Sequence, residues 1–360
     1  MNPAIVPVDR RVRAPRVLVV GRAASLRRDR GLLLALGGHT AVETMAPSAA
    51  WPLTYLRALR AARRHDAELV HLLDASLAPT GRRLRSRLGV PVTVSITADA
   101  LRTQIAPSSP LLRDLGRLDE AFTPDRSMDA MLRSQGLDLP VTTVPPAIDL
   151  PAAPAERALR AVSSALRGVA PGRLILGVRM PGSSDELRWL RDAVLARLEA
   201  APLCVLFGVA DPSAVRPIVR RRGAPEFRVV GGPADDERIA AVARCVDAFV
   251  CIPRDHRTSP AGLLPLVASG APVVAAADET AGLRHEHNAF VVPPGDDAQL
   301  VRILDSLLAL PAIQRHALGE DFARWTLRAW PWEAPADVYV SRFAALVGRP
   351  RIPAELLRAA

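Results

Sequence analysis

The chain has 360 residues, 49% of them hydrophobic and 23% charged, with a formal net charge of +10. That length accommodates two domains with a core each, and the composition excludes a disordered or low-complexity chain. No apolar run approaches the ~20 residues that span a bilayer, and the N-terminus lacks the apolar stretch of a secretory signal, so a cytoplasmic protein is expected.

The charge is uneven. Residues 1 to 150 hold 21 Arg against 14 Asp plus Glu, and every basic residue of the chain is arginine. The clusters Arg27/Arg28/Arg30, Arg57/Arg60/Arg64 and Arg82/Arg83/Arg85/Arg87 fall on predicted helices. They are read as solvated helix faces, or else as a surface for an anionic or lipid-linked acceptor, or for peripheral contact with the acidic inner membrane face. Aromatics are 4% of the chain, and no nucleic-acid-binding signature occurs. Cys204, Cys245 and Cys251 lack metal-ligand spacing and read as reduced core thiols. His285-Glu286-His287 lacks the i, i+4 spacing of a helical metal pair, so no metal is expected.

Taken in order, the chain alternates strands and helices. Arg16 to Val20 is a buried strand ending at Gly21, and a helix follows from Ala23 to Leu36 with Ser25 as its cap. Thr40 to Met45 is a strand, and Trp51 to Arg64 an amphipathic helix with Leu53, Leu56 and Leu59 inward. Strands at Ala67 to Leu73 and Val90 to Ile96 flank a helix from Thr80 to Leu88. Asp119 to Pro124 and Val141 to Val144 flank a helix from Arg126 to Gln135. The Pro/Ala-rich stretch 151 to 172 reads as a linker with a short helical pattern. A second series has strands at Leu174 to Val178, Leu203 to Phe207, Phe227 to Val230, Val246 to Ile252 and Pro272 to Ala276, then a short strand at Ala289 to Val292. Helices close the chain at Gln299 to Leu310, Ala312 to Leu327 and Ala334 to Leu346. Such alternation with continuous Val/Ala/Ile runs predicts doubly wound parallel sheets covered on both faces. Ligands of such sheets sit beyond the carboxyl ends of the strands.

Two strings carry a family resemblance. Ala268-Ser269-Gly270-Ala271-Pro272-Val273-Val274 and Asn288-Ala289-Phe290-Val291-Val292-Pro293-Pro294-Gly295-Asp296 resemble the donor-binding half of family 4 retaining GT-B glycosyltransferases. Val144-Pro145-Pro146-Ala147-Ile148-Asp149 is similar to the family's interdomain approach. The resemblance implies an α/β GT-B fold, two Rossmann-like domains with parallel sheets facing across a cleft. It divides the chain into an acceptor domain (1–150), a linker (151–172) and a nucleotide-sugar donor domain (173–333), with the C-terminal helix (334–360) returning to the first domain. It implies transfer of a sugar from a nucleotide-activated donor to an unidentified acceptor, in glycan, envelope-polysaccharide or secondary-metabolite biosynthesis, with no cofactor or metal.

Residue by residue, the resemblance places Arg179 at the family's phosphate arginine and Ser184 near its lysine. Gly231 falls in the glycine turn that borders the nucleotide base. Counting back from Gly270, Arg257 and Pro265 stand where the family has two glutamates; proline offers no side-chain acceptor for a ribose hydroxyl. Arg257 beside His256 favours an anionic group instead of sugar hydroxyls, and Thr258 and Ser259 complete that loop. On the acceptor side Gly21, which also permits close donor approach, and Arg22 follow the first strand. Thr97 stands at a family histidine position, and His71 matches a family histidine at the end of the third strand, a position where a satisfied structural residue is the other reading. Thr97 and Arg257 are the expected catalytic residues. Two alternatives stay open: a catalytically inactive GT-B protein acting as partner or scaffold of an active glycosyltransferase, and a doubly wound small-ligand binding protein.

Overall fold

The computed structural model describes all residues except 1–13, 23–24, 27–28, 48–50, 97–108, 125, 146, 149–153, 181–183, 210–211, 220–224, 233–235, 252–262, 277–282 and 349–360. The chain divides into two compact units, Met1–Pro146 with Trp332–Ala360, and Ala147–Pro331.

The first unit is built on a parallel sheet of β1 (Arg16–Val20), β2 (Ala41–Met45), β3 (Leu69–Leu72), β4 (Val92–Ser95), β5 (Glu120–Thr123) and β6 (Val141–Thr143), in the order β2-β1-β3-β4-β5-β6. One face carries Leu18, Val70, Val92 and Val94 against the helices Trp51–Arg64 and Ala78–Leu88. The other carries Val17, Val19, Leu69 and Phe122 against the helices Arg30–Gly37 and Glu333–Val347. Sheet residues such as Val17, Val19, Leu69 and Val70 are fully buried, which is why they come as unbroken apolar runs rather than in alternation. The helix Glu333–Val347 thus supplies Tyr339, Phe343 and Leu346 to the first unit's core.

The second unit repeats the plan with β7 (Ile175–Arg179), β8 (Leu203–Val209), β9 (Phe227–Gly231), β10 (Ala248–Cys251), β11 (Val273–Ala276) and β12 (Phe290–Val292), in the order β12-β11-β10-β7-β8-β9. Helix Glu156–Ala165, in the stretch read as a linker, buries Ala158 and Val162 in this unit's core. Helix Ser184–Trp189 continues through a π turn (Leu190–Val194) into a 3-10 turn, a feature for which the sequence carries no cue.

An acid stands immediately before three strands and accepts the first N–H of the neighbouring strand. Glu68 accepts from Arg16 N at 3.0 Å, Asp119 from Val92 N at 2.8 Å, and Asp247 from Ile175 N at 2.8 Å. Arginine holds two of these acids from a helix: Arg85 grips Asp119 with two bonds of 2.9 Å, and Arg315 reaches Asp247 at 2.6 Å. Start positions and strand order are therefore tied to specific residues, because a one-residue slip would leave these charges unpaired.

Two expected details differ. In the helix Trp51–Arg64 the buried side chains are Thr54, Ala58, Ala61 and Ala62, while Leu53 and Leu56 are 52% and 45% exposed. Small residues let this helix lie close to its neighbours, and the larger leucines turn outward. Of the helix expected from Ala23, Ser25 and Leu26 are helical, and a helix runs over Arg30–Gly37. Ser25 is buried and its carbonyl accepts Asp29 N–H at 2.9 Å, so it stands within the first turn rather than at the cap.

Candidate functional site

In an open parallel sheet the crevice forms where the chain reverses its order of adding strands. In the second unit that point lies between β7 and β10, since β7 leads to β8 on one side and β10 pairs on the other. Val178 is opposite Val250 in the register, so the next residues, Arg179 and Cys251, end adjacent strands. Met180 N–H donates to Phe207 O at 2.8 Å, which fixes the backbone just past Arg179. The Arg179 charge favours the thiolate of Cys251, yet burial outweighs it and pushes that thiol up to about 12. Burial likewise pushes the Cys204 thiol up to about 12. Both cysteines are inert core residues.

Ser184 opens the helix that follows β7, and Asp185 and Glu186 occupy its first turn. Arg188 pairs with Asp185. A helix start is ordinarily favourable for a phosphate, but here its own acids occupy that end, so Arg179 is the cation this strand end offers. Pro265 stands at the start of helix Leu264–Ala268, where a missing N–H costs nothing. Gly270, just beyond that helix, has φ of +86°, which explains the glycine.

Gly231 ends β9 and is exposed. The next residue, Gly232, has φ of +99°, and an ideal Cβ there would lie 2.2 Å from Arg238 Nη1. Only glycine fits. Arg238, in the helix Asp236–Ala243, thereby brings a second guanidinium to the carboxyl edge of this sheet. The sequence reading did not single it out; its signal is an arginine six residues past a Gly-Gly turn.

In the first unit the reversal lies between β1 and β3. Gly21 follows β1 and donates to Met45 O at 3.1 Å. An ideal Cβ on Gly21 would lie 2.8 Å from Leu73 Cδ1 and 3.0 Å from Leu73 Cβ, so packing against Leu73 favours glycine here. Arg22 is exposed and reaches over to the β3 end, with Nη2 donating to Ser76 Oγ at 2.8 Å and Nε 3.6 Å from Asp74. Asp74 in turn accepts Ser76 N–H at 2.9 Å. Arg22 and Gly21 are brought together at this strand end.

His71, expected on the acceptor side, is instead a core residue with 0% exposure. Its Nδ1 is 2.8 Å from Thr93 Oγ1 and its Nε2 is 3.1 Å from Ser95 Oγ, and Ser95 meets Tyr339 OH at 2.7 Å. The rings of Phe122, Tyr339 and Phe343 surround it at centroid distances of 5.7, 5.2 and 5.5 Å. Desolvation lowers its pKa from 6.5 to about 3. A base whose folded pKa lies below its unfolded value binds its proton preferentially in the unfolded chain. Stability conferred by neutral His71 is therefore complete above pH 6.5 and is lost as pH falls toward 3, by up to about 1.4 kcal/mol per pH unit. Urea unfolding of the wild type and of His71→Gln between pH 7 and 5 checks this: the wild type should lose more stability over that interval than the variant.

Thr97, His256, Arg257, Thr258 and Ser259 lie outside the described residues. Among the described residues no three His, Cys, Asp or Glu side chains converge to hold a metal ion, and no helix is long and apolar enough to cross a membrane.

Comparison with known proteins agrees with this layout. Residues 172–309, from just before β7 through the helix Asp297–Ala309, match the family described as glycosyl transferases group 1. No curated protein sequence matches the chain. Among solved structures, sucrose-phosphate synthase from Thermosynechococcus elongatus is similar at 17% identity and a TM-score of 0.61, covering 92% of this chain and 100% of that one. Anabaena HepE in complex with UDP and glucose is similar at 13% identity and a TM-score of 0.60, with the same coverage. The UDP-forming α,α-trehalose-phosphate synthase from Burkholderia xenovorans follows at 15% identity and a TM-score of 0.55, covering 94% of this chain and 100% of that one. The shared architecture is the GT-B fold of two Rossmann-like domains.

Proposed function

We propose that the protein is a glycosyltransferase that moves a sugar from a nucleotide-activated donor, held by the second unit, to an acceptor held by the first. The observation that carries this reading is the family match over 172–309, which encloses the β7/β10 reversal with Arg179 at its lip. HepE, similar in fold, binds UDP and glucose. In the reaction the bond between the anomeric carbon and the phosphate oxygen breaks, a bond to an acceptor oxygen forms, and the nucleoside diphosphate departs with the electron pair. Charge grows on the leaving phosphate, and in this reading Arg179, at the end of β7, neutralises it through charge-assisted hydrogen bonds. Retention of anomeric configuration belongs to the same proposal.

Arg179→Ala is expected to lower kcat/KM for the donor about 10- to 100-fold, the loss of one charge-assisted bond. Initial rates of nucleoside diphosphate release, measured with the nucleotide sugar that the wild type uses, check this. Full activity in the variant would remove Arg179 from the site.

The same proposal extends to where the acceptor is met. Helix Trp51–Arg64 turns Leu53 and Leu56 outward together with Arg57, Arg60, Arg63 and Arg64, the pattern of a helix that rests on an anionic lipid surface. Cosedimentation with vesicles containing phosphatidylserine should fall several-fold for Leu53→Ser/Leu56→Ser and at raised salt. Binding that is absent in the wild type would confine the acceptor to solution.

A further inference from the structure

The second unit has a cavity away from the carboxyl ends of its strands. It lies against the edge strand β12, has a volume of about 480 Å³, and is walled by Phe290, Ile303, Leu307 and Leu310. Ile303, Leu307 and Leu310 lie along one side of the helix Asp297–Ala309 and its end, at the i, i+4, i+7 spacing of a single helix face. The same face contributes Gln299, Arg302 and Ser306, and His285 and Glu286 come from the turn before β12. A volume of this size is typical of a small-molecule site, as are apolar walls with a few polar groups.

The backbone decides what kind of occupant fits. A sheet edge beside an apolar groove ordinarily invites an added strand from another chain. Here the edge is closed from within: Val291 N–H donates to His285 Nδ1 at 3.1 Å, and Ala289 O accepts Glu286 N–H at 2.9 Å. Asn288, fully buried, locks that turn by accepting Arg284 N–H at 2.7 Å. The turn therefore leaves a cavity and withholds the edge groups of Ala289 and Val291 from a strand. Because His285 Nδ1 is an acceptor in this bond, the ring proton is on Nε2 when the ring is neutral.

The charges decide the ligand's polarity. Arg302 makes no ion pair within 4.0 Å among the described residues, so its fork of donors is available to an anion. The one acid at the cavity, Glu286, is 74% exposed and lies 3.7 Å from His285 Nε2, at the rim.

We infer that this cavity binds a small amphiphilic anion, an apolar or aromatic body on Phe290, Ile303, Leu307 and Leu310 with a single acidic head on Arg302. Nothing in this inference depends on sugar transfer, and the site is separate from the β7/β10 strand ends: β10 lies two strands and β7 three strands across the sheet from β12, roughly 10 and 14 Å at the usual strand spacing.

The test uses the full chain and 8-anilinonaphthalene-1-sulfonate, an aromatic body with one anionic group whose fluorescence rises in apolar surroundings. The wild type should show one saturable site. Arg302→Glu should weaken it at least about tenfold, Ser306→Trp should abolish it by filling the cavity, and Glu286→Gln should tighten it a few-fold by removing the opposing charge. Circular dichroism and the unfolding midpoint should be unchanged in all three, because residues 286, 302 and 306 are exposed. Dye binding unaffected by both Arg302→Glu and Ser306→Trp would overturn the inference. So would weaker binding in Glu286→Gln, which would mean that Glu286 helps to hold the anion rather than opposing it.

Discussion

Gly319→Ala should destabilise the second unit by about 3 kcal/mol, the upper end of what overpacking usually costs. Gly319 lies in the helix Ala312–Ala329, and an ideal Cβ there would meet Gly270 O at 2.2 Å, Gly270 C at 2.8 Å and Pro272 Cδ at 2.9 Å. Two of those three atoms are backbone, in a turn that cannot yield easily because Gly270 already has φ of +86°. The helix must instead retreat from the turn that joins Leu264–Ala268 to β11. Loss of contact there would loosen Phe322, whose ring meets Phe290 at 5.5 Å. The contrast is Gly37→Ala, where no atom lies within 4 Å of the added carbon and the change should be neutral or slightly stabilising. Thermal unfolding of both variants checks the pair of expectations.

The second large effect is Arg342→Ala. Glu120 on β5 is 0% exposed, and Arg342 grips it with Nε on Oε1 at 2.7 Å and Nη2 on Oε2 at 3.0 Å. Thr142 Oγ1 also donates to Glu120 Oε1. Removing the arginine leaves a buried carboxylate with a single hydroxyl donor. Such a loss costs about 3 kcal/mol, the lower end for a buried pair because the Arg342 side chain is 36% exposed and water can reach its place. The sign of a second substitution makes the account specific. Glu120→Gln should destabilise the wild type but raise the stability of Arg342→Ala, since it removes the uncompensated charge. Urea unfolding of the four proteins in this cycle measures both effects, and amide exchange along Glu333–Val347 should quicken in Arg342→Ala.

Much of the architecture was legible because buried parallel strands leave a plain mark. Arg16–Val20, Leu203–Val209 and Val273–Ala276 are apolar on both faces and end at glycine, at a proline-containing loop or at a run of small residues. Gly270 was legible as a helix stop for the reason its φ confirms. What escaped reading is what depends on partners distant in sequence. Leu53 and Leu56 looked inward by hydrophobicity alone, but the neighbouring elements admit only the Thr54 and alanine side of that helix. Helix Glu156–Ala165 has just two fully buried apolar anchors, Ala158 and Val162, so its stretch resembled a linker.

The candidate site is legible only in part. The resemblance singles out Gly21, Arg22 and Arg179, and strand direction sets them at the carboxyl ends of β1 and β7. Of the two readings of His71, the structural one holds, as its apolar neighbours Leu69, Val70, Leu72 and Leu73 favour burial. Arg238 stands six residues past the Gly231-Gly232 turn, but that it lies over Gly232 depends on the fold rather than on the spacing.

The central claim is a working nucleotide site at the β7/β10 reversal, and calorimetric titration of the full chain with UDP, GDP, ADP, TDP and CDP tests it most directly. One of them should bind with micromolar affinity, weakened at least about tenfold in Arg179→Ala. No binding of any up to millimolar concentration, with the protein shown to be folded, would contradict it.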